Sequence, residues 1–225
     1  LEAELEARRA QYRWIAERTV KSIVADRIEL RHLGAWVGGV TPSKQRSDYW
    51  ENPTVPWVTS MDLSATEGAA IRGRVSAIAL KETALRVINA PFVAVIMRSN
   101  ILRSRLPVGL VRENATLNQD VRALVPVPGV DPTYLFQVLK AESETLRERY
   151  VRTDGSMAAV ETQAFLGHEI PLPPIAEQRR IADILDKFDA LVNDISIGLP
   201  AELAARRKQY EYYRDKLLTF TELPA

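Results

Sequence analysis

The first twelve residues of the chain recur near its other end. The segment LEAELEARRAQY, residues 1–12, matches LPAELAARRKQY, residues 199–210, at 9 of 12 positions, with an offset of 198 residues. Solenoid repeats have periods of about 20–50 residues, so an offset this long does not describe a solenoid. The recurrence instead predicts a unit made of one globular domain followed by one helix. This chain is expected to hold one such unit, preceded by the tail of another.

The spacing of apolar residues predicts helices at both ends. Residues from Leu1 to Ile15 follow alternating spacings of four and three, with Arg8 in one of the positions, as in a coiled-coil seam. Two further seams run from Ile181 to Ile195 and from Leu199 to Phe220. They differ in phase by one residue, and Gly198 and Pro200 at their junction predict a break or kink.

The middle of the chain has the pattern of a globular domain. Short apolar runs separated by Gly and Pro predict strands at 28–33, 55–59, 85–88, 92–97, 107–111, 121–127 and 169–172. Asp131 suits an N-cap and Pro132 a first helical position, so one helix is predicted from there to Tyr150. The expected fold class is α+β, with a helix over 1–20, one globular mixed α/β domain over 21–173 and long coiled-coil-forming helices over 174–220.

Several classes of protein are excluded by composition and motifs. The chain has no cysteine, which excludes a disulfide scaffold and fits a reducing cytoplasm. No apolar run approaches the roughly 18–20 residues of a membrane span, and no charged and apolar leader opens the chain. His32 and His168 lie far apart, so structural roles are expected for both rather than metal ligation. Because phosphate-binding glycine loops and nucleophile motifs are missing as well, no active site is predicted.

Positive charge is concentrated in the middle of the chain. The net charge is only +1, but residues 72–122 contain nine basic and three acidic residues, a local net charge of +6. Eight of the nine cations are Arg, whose planar fork suits phosphates and guanine edges. A solvated face with counter-ions elsewhere in the fold explains the charge equally well, so charge alone leaves DNA binding open.

One predicted loop within this segment carries the residue types that contact phosphates and base edges. The loop lies between two predicted strands, in the segment MRSNILRSRLPV, residues 97–108. Its candidate DNA-binding residues are Arg98, Ser99, Asn100, Arg103, Ser104 and Arg105. We expect at least one of the three arginines to read a base. Candidates of second rank are Lys44, Arg46, Arg72 and Arg74.

Four segments, in a fixed order, carry a family resemblance. They read WVGGVTPSKQRSDYWENPTVPWVTSMD at 36–62, ATLNQDVRALVP at 115–126, TDGS at 153–156 and IPLPPIAEQRRIADILDKF at 170–188. Together they resemble the specificity subunit of a Type I restriction-modification system. The resemblance covers nearly the whole chain and, with the terminal repeat, is far more specific than any one motif.

The resemblance implies a non-catalytic subunit that recognises double-stranded DNA. It would direct a DNA adenine methyltransferase and an ATP-dependent restriction nuclease to a bipartite target. S-adenosylmethionine, ATP and Mg would belong to those partner subunits, so no cofactor is expected here. Family members normally carry two target-recognition domains, whereas this chain has one and is either a half-subunit or a fragment. Two copies related by two-fold symmetry would restore the missing half, which predicts a homodimer.

The helical regions of such subunits hold the recognition domains apart and dock the methyltransferase. A helix over 175–197 would be about 34 Å long, close to one turn of DNA at roughly 34–36 Å. Residues that recur at both ends are expected to bind the partner, although simple helix–helix register explains the repeat too. The partner-binding candidates are Arg206, Arg207, Gln209, Tyr210 and Tyr212.

Two other functions are considered. A coiled-coil scaffolding protein with a globular head and no DNA role would not need the local Arg cluster. A self-contained nuclease would need clustered carboxylates with a Lys, and the sequence shows no convincing set. Asn118 and Gln119 suit adenine reading or strand capping, and their place in a motif shared across different targets favours the structural role. Tyr49, Trp50 and Trp57 are expected in the core rather than as base-stacking platforms.

Overall fold

The computed structural model describes residues 2–65, 71–193 and 199–218. The chain divides into two compact units, one formed by Leu1–Thr19 with Asp183–Ala225 and the other by Val20–Ala182. The helices are α1 (Glu2–Lys21), α2 (Ser60–Ala65), α3 (Ala77–Glu82), α4 (Pro132–Ala141), α5 (Ser143–Tyr150), α6 (Thr162–Leu166), α7 (Ile175–Asn193) and α8 (Leu199–Leu218). Within the described ranges, none of them combines the length and the apolarity that a membrane crossing requires.

The strands are short and lie in the unit Val20–Ala182. They are β1 (Arg27–Glu29), β2 (Gly34–Gly38), β3 (Val55–Val58), β4 (Arg74–Val75), β5 (Phe92–Ile96), β6 (Val108–Val111), β7 (Thr116–Leu117), β8 (Val121–Pro126), β9 (Val151–Arg152), β10 (Ala159–Val160) and β11 (Glu169–Pro171). Together with the helices they form a mixed α/β domain, so the α+β class predicted from the sequence is confirmed.

The core of this domain is an antiparallel sheet of four strands in the order β2-β8-β5-β6. All five residues of β5 are buried, because β5 is a central strand and α4 packs on it. Asp131 caps α4 as predicted: its carboxylate accepts hydrogen bonds from the backbone N–H groups of Thr133 and Tyr134, at 2.9 and 3.0 Å. Most of the α4 side chains are buried, so this helix covers the sheet.

A second sheet has the order β4-β3-β7, with β3 and β7 parallel. Beside it lies a small cluster of buried residues that includes Tyr49, against which Trp50 and Trp57 pack. The two indole rings meet edge to face with centroids 5.3 Å apart. All three aromatic residues therefore belong to the packing of the domain, as expected from the sequence.

The prediction of one continuous helix over 131–150 was wrong. The segment forms two helices, α4 and α5, and the break falls at Glu142. The Glu142 carboxylate is buried and lies 2.7 Å from Nε2 of His168, whose Nδ1 is 3.1 Å from the Tyr150 hydroxyl. Both ring nitrogens of His168 are thus engaged inside the domain, which gives this histidine a structural role.

Strand predictions failed where the strands are short or rich in Gly. Residues 85–88 do not form a strand, because only Ile88 makes an isolated bridge, to Ala115. The prediction missed β2, whose sequence GAWVG contains two glycines and one alanine, residue types depleted in strands; pairing with β8 holds it. It also missed the two-residue strands β4, β7, β9 and β10.

The other unit consists of helices. Tyr12 of α1 is 7% exposed, and its hydroxyl donates a hydrogen bond to the carbonyl oxygen of Leu185 in α7, at 3.2 Å. The predicted break at Gly198, and residues 194–197 of the predicted helix, lie outside the described residues, as do Leu1 and Phe220 of the seams. Pro200 stands in the first turn of α8, where a missing N–H is tolerated. Coiled-coil pairing of these helices stays a prediction.

Candidate nucleic-acid interface

Two of the motif segments meet at one edge of the domain. The first turn, defined as residues 39–46, lies against the NQD turn, residues 118–120. The N–H of Val40 donates to the carbonyl oxygen of Leu117 at 2.9 Å, and the Thr41 hydroxyl donates to the side-chain oxygen of Gln119. The indole N–H groups of Trp57 and Trp50 donate to the carbonyl oxygens of Val40 and Ser43 and so hold the first turn to the domain.

The NQD turn in turn holds the recognition loop, defined as residues 97–107, which connects β5 to β6. The carbonyl oxygen of Asp120 accepts hydrogen bonds from the N–H groups of Met97 and Arg98, at 2.7 and 3.3 Å. The Asp120 carboxylate also accepts from Nε of Arg98 at 2.9 Å. Asn118 is 6% exposed, and its side-chain oxygen accepts from the N–H of Asp120, so Asn118 has the structural role favoured above, while Gln119 is exposed.

On its other side the recognition loop contacts the TDGS turn, residues 153–156, and the strand that follows it. The N–H of Ser99 donates to the carbonyl oxygen of Ala158, and the N–H of Val160 donates to that of Met97. The guanidinium of Arg103 donates to the carbonyl oxygens of Thr153 and Gly155, at 2.8 Å each. Hydrogen bonds therefore join four separate segments of the chain, the first turn, the NQD turn, the recognition loop and the TDGS turn, into one continuous surface.

Most of the predicted loop residues are exposed on this surface. Arg98, Asn100, Arg103, Ser104 and Arg105 are exposed, and Ser99 is half-buried. The Ser104 hydroxyl donates to the carbonyl oxygen of Ile101, within the loop. The structure thus brings the six first-rank candidates together on one connection between two strands, as the sequence predicted.

The second-rank candidates divide into two groups. Lys44 and Arg46 are exposed on the first turn and belong to the same surface. Arg74 lies in β4, separated from β7 by β3, and donates to the carbonyl oxygen of Thr54. Arg72 is exposed near it, and its backbone N–H donates to the buried carboxylate of Asp62. Among the described residues, the hydrogen bonds of Arg72 and Arg74 go to Asp62 and Thr54 and not to the recognition loop.

Arg46 is part of an ion-pair network. Its guanidinium lies 2.6 Å from the Asp48 carboxylate and 2.9 Å from that of Glu82, and it stacks on the Tyr49 ring at 4.4 Å. Hydrogen bonds to Asp48 and then Glu82 raise the pKa of Arg46, and the Arg46 guanidinium holds the pKa of Asp48 below its ordinary value. The two carboxylates engage Nε and Nη2 of Arg46, so Lys44 is the more available cation on the first turn.

The partner-binding candidates lie along α8. Arg206, Arg207, Gln209, Tyr210 and Tyr212 are all exposed, and Arg206 pairs with Glu202 at 2.5 Å. Tyr210 is 67% exposed, whereas its counterpart in the repeat, Tyr12, is buried in a helix contact. The same tyrosine therefore has two different environments in the two copies of the repeat.

The repeat shared by α1 and α8 extends beyond the identical residues, and identity alone does not reveal this larger surface. Trp14 and Arg18 of α1 correspond, at the same offset of 198, to Tyr212 and Lys216 of α8. In each helix the cation lies over the ring, at 5.1 Å for Arg18 and 6.0 Å for Lys216. Matching by residue class, aromatic with aromatic and Arg with Lys, would have found this signal.

Together with Gln11 and Gln209, these residues form what we call the Gln–aromatic–cation face. Its members occupy positions i, i+3 and i+7, which share one side of a helix. All six are exposed. Within the parts of the chain that the structure describes, no three His, Asp or Glu side chains cluster as metal ligands would.

Comparisons with known proteins agree with the resemblance read from the motifs. Residues 28–205 match the family model described as the Type I restriction modification DNA specificity domain. The chain is similar to the Type I restriction enzyme EcoR124I/EcoR124II specificity subunit of Escherichia coli, with 36% identity over 98% of this chain and 55% of that protein. It is also similar to the MjaIX specificity subunit of Methanocaldococcus jannaschii, with 29% identity over 74% of this chain and 38% of the relative.

Solved structures share the fold. An HsdS subunit from Thermoanaerobacter tengcongensis superposes with a TM-score of 0.62 at 17% identity, over 87% of this chain and 46% of the other. A chain from a type I R-M system superposes with a TM-score of 0.68 at 17% identity, over 96% of this chain and 50% of the other. The chain spans about half the length of the E. coli relative and of these structural neighbours.

Proposed function

The chain belongs to the family of Type I restriction modification DNA specificity domains, and we propose that it recognises one half of a bipartite double-stranded DNA target. In this role it has no catalysis of its own and works in the cytoplasm. It directs a DNA adenine methyltransferase and an ATP-dependent restriction nuclease to the target. S-adenosylmethionine, ATP and Mg act in those partner subunits, not here.

The observation that carries this proposal is the continuous surface built from the first turn, the NQD turn, the recognition loop and the TDGS turn. It presents the exposed cations Lys44, Arg98, Arg103 and Arg105 together with polar side chains. Guanidinium and ammonium groups contact phosphates, while amides and hydroxyls contact base edges. A scaffolding protein has no requirement for such a surface. Among the described residues, no three carboxylate or histidine side chains cluster as the metal site of a nuclease would require.

The proposal is tested by selecting binders from a random duplex library with the purified chain, with and without the methyltransferase subunit. We expect one enriched motif, and an affinity that falls steeply with salt because bound counter-ions are released. We also expect the chain alone neither to methylate nor to cleave DNA. Selection that enriches no motif under either condition, or methyl transfer by the chain alone, would contradict the proposed function.

We further propose that two copies of the chain associate through α8. The carbonyl oxygen of Leu185 in α7 already accepts a hydrogen bond from Tyr12 of α1. Tyr210, the equivalent residue in the repeat, would therefore pack against a different helix. Tyr210 and Tyr213 are 67% and 53% exposed and lie three residues apart on the predicted seam. An antiparallel α8 pair across a two-fold axis would bury both and place two recognition domains on one duplex.

The Gln–aromatic–cation face is the surface that we propose for methyltransferase docking. This face is exposed in both α1 and α8. At the Tyr12/Tyr210 position, by contrast, the tyrosine of α1 is buried and contacts α7. On α8, at about 100° per residue, Tyr212 points about 160° away from Tyr210 and about 100° away from Tyr213. Lys216 lies about 120° from Tyr210 and about 60° from Tyr213, so it borders the Tyr213 side. Two similar surfaces suit two copies of one partner, and aromatic side chains are common anchors of interfaces.

These two surfaces are expected to separate experimentally. We expect Tyr212→Ala to weaken capture of the methyltransferase subunit about tenfold while leaving self-association intact, since Tyr often contributes about 1–2 kcal/mol to an interface. Tyr210→Ala should do the reverse; Tyr213 is kept, because its ring packs against that of Tyr212 with centroids 5.3 Å apart. Light scattering reports the oligomer, and a pull-down reports the partner. A wild-type monomer at micromolar concentration argues against the homodimer, and unchanged capture by Tyr212→Ala argues against this docking face.

A further inference from the structure

The centre of the recognition loop is a short 3-10 helix, Asn100–Arg103, that is anchored at both ends and in its middle. The Ser99 hydroxyl oxygen accepts from the N–H of Ile101, and the N–H of Ser99 donates to the carbonyl oxygen of Ala158 at 3.0 Å. The Leu102 side chain is fully buried. Arg103 donates two hydrogen bonds into the TDGS turn. The helix is therefore a preorganised platform rather than a loose loop.

The polar side chains around this platform are not equally available. Arg98 is paired with Asp120, Arg103 with two carbonyl oxygens, and the Ser104 hydroxyl with the Ile101 carbonyl. Arg105 also has an interaction partner. The amide of Asn100 is exposed and forms no hydrogen bond with the residues that the structure describes.

We propose that Asn100 reads an adenine base and that Arg103 is the positioning residue that holds it in place. This inference rests on the proposed DNA-recognition function. A carboxamide recognises adenine through two hydrogen bonds, in which its oxygen accepts from N6–H and its NH2 donates to N7. A side chain that is exposed, unpaired and mounted on a fixed platform can make both bonds without breaking others.

Arg103 is assigned the positioning role because its Nη1 and Nη2 each donate a hydrogen bond to the TDGS turn. Reading guanine with the N–H groups of Nη1 and Nη2 that are engaged would require them to release the carbonyl oxygens of Thr153 and Gly155, which lie 2.8 Å away. Those two bonds join the last residue of the 3-10 helix to the TDGS turn. The planar fork of Arg spans both carbonyls, and the single ammonium of Lys cannot reproduce that geometry.

The experiment starts from the motif enriched by the wild-type chain with its methyltransferase subunit. Asn100→Ala, Arg103→Lys and wild type are then titrated against the matched duplex, single-base variants of it and a scrambled duplex. We expect Asn100→Ala to lose about tenfold or more of its discrimination at one A·T position and to keep its affinity for scrambled DNA. Arg103→Lys should lose discrimination at the same A·T position, although this substitution leaves the charge of the side chain unchanged. Arg180→Lys, at an exposed ion pair on α7, serves as the matched Arg-to-Lys control and should change nothing.

The outcomes distinguish this inference from the function on which it rests. A wild-type chain without any enriched motif contradicts the proposed function. If Asn100→Ala discriminates between bases as the wild type does, base reading by Asn100 is overturned. Equal losses of affinity for the matched and the scrambled duplex overturn it as well. If Asn100→Ala loses discrimination at the A·T position and Arg103→Lys does not, the positioning role of Arg103 is overturned. The positive charge of residue 103 would then be sufficient for its contribution to binding.

Discussion

Gly39→Ala is expected to lower the free energy of unfolding by about 3 kcal/mol, the upper part of the usual range for overpacking a tight site. A Cβ on residue 39 would overlap the carbonyl oxygens of Leu117 and Asn118. These are backbone atoms of β7 and the NQD turn, so they cannot rotate away as a side chain would. Moving residue 39 outward would stretch the hydrogen bond from the N–H of Val40 to the carbonyl oxygen of Leu117, which is 2.9 Å long.

The neighbouring glycine provides a matched control. A Cβ on Gly38 would have no heavy atom within 4 Å, and neither glycine has a positive φ. Gly38→Ala should therefore change the free energy of unfolding by only about 0.5 kcal/mol or less. Denaturant unfolding of both variants measures the difference, and equal midpoints for the two would refute the close-approach argument. Since the NQD turn holds the recognition loop, Gly39→Ala should also weaken binding to the selected DNA motif.

Gln178→Met is expected to lower the free energy of unfolding by about 3 kcal/mol, because one buried and two partly buried hydrogen bonds would be lost at once. Gln178 is 1% exposed. Its amide nitrogen donates to the carbonyl oxygens of Gly129 and Pro173 at 2.9 and 2.8 Å, and its oxygen accepts from the N–H of Asp131 at 2.8 Å. Methionine has a similar volume and can replace none of these bonds, so the start of α7 would lose its attachment to the loop before α4.

The adjacent Glu177 is the control for this variant. Glu177 forms an exposed pair with Arg180 at 2.6 Å, and that guanidinium lowers the pKa of the Glu177 carboxyl. Exposed ion pairs contribute about 0–1 kcal/mol, so Glu177→Gln should be nearly neutral. Thermal and denaturant melts of the two variants compare them directly. A Gln178→Met protein as stable as Glu177→Gln would show that the three hydrogen bonds contribute little.

Local chemistry explains which parts of the fold were predictable. The heptad spacing predicted α1, α7 and α8, and the capping pair Asp131 and Pro132 placed the start of α4 at its observed residue. Apolar runs located β3, β5, β6 and β8 to within one or two residues. These elements have periodic side chains or a strong N-terminal signal, so a short stretch of sequence specifies each of them.

The failures have a common cause. The break at Glu142 depends on a buried contact with His168, which is 26 residues away. The Gly-rich strand β2 exists because β8 pairs with it. Gly39 has no positive φ and permits the close approach of residue 39 to β7, which is a tertiary contact. None of these features can be read from neighbouring residues, since each depends on a partner that only the folded chain provides.

The same distinction holds for the candidate site. Residue types and motif order alone determined the family resemblance, the arginine-rich recognition loop and the repeated helix. Only the tertiary structure decided which of those side chains are available: Asp120 pairs with Arg98, the TDGS turn occupies Arg103, and Asn100 is left exposed on its platform. It likewise buried Tyr12 and exposed Tyr210, although the two have the same sequence neighbourhood. Periodicity and residue type are local properties, while hydrogen-bond partners and burial depend on residues that are distant in sequence and adjacent only after folding.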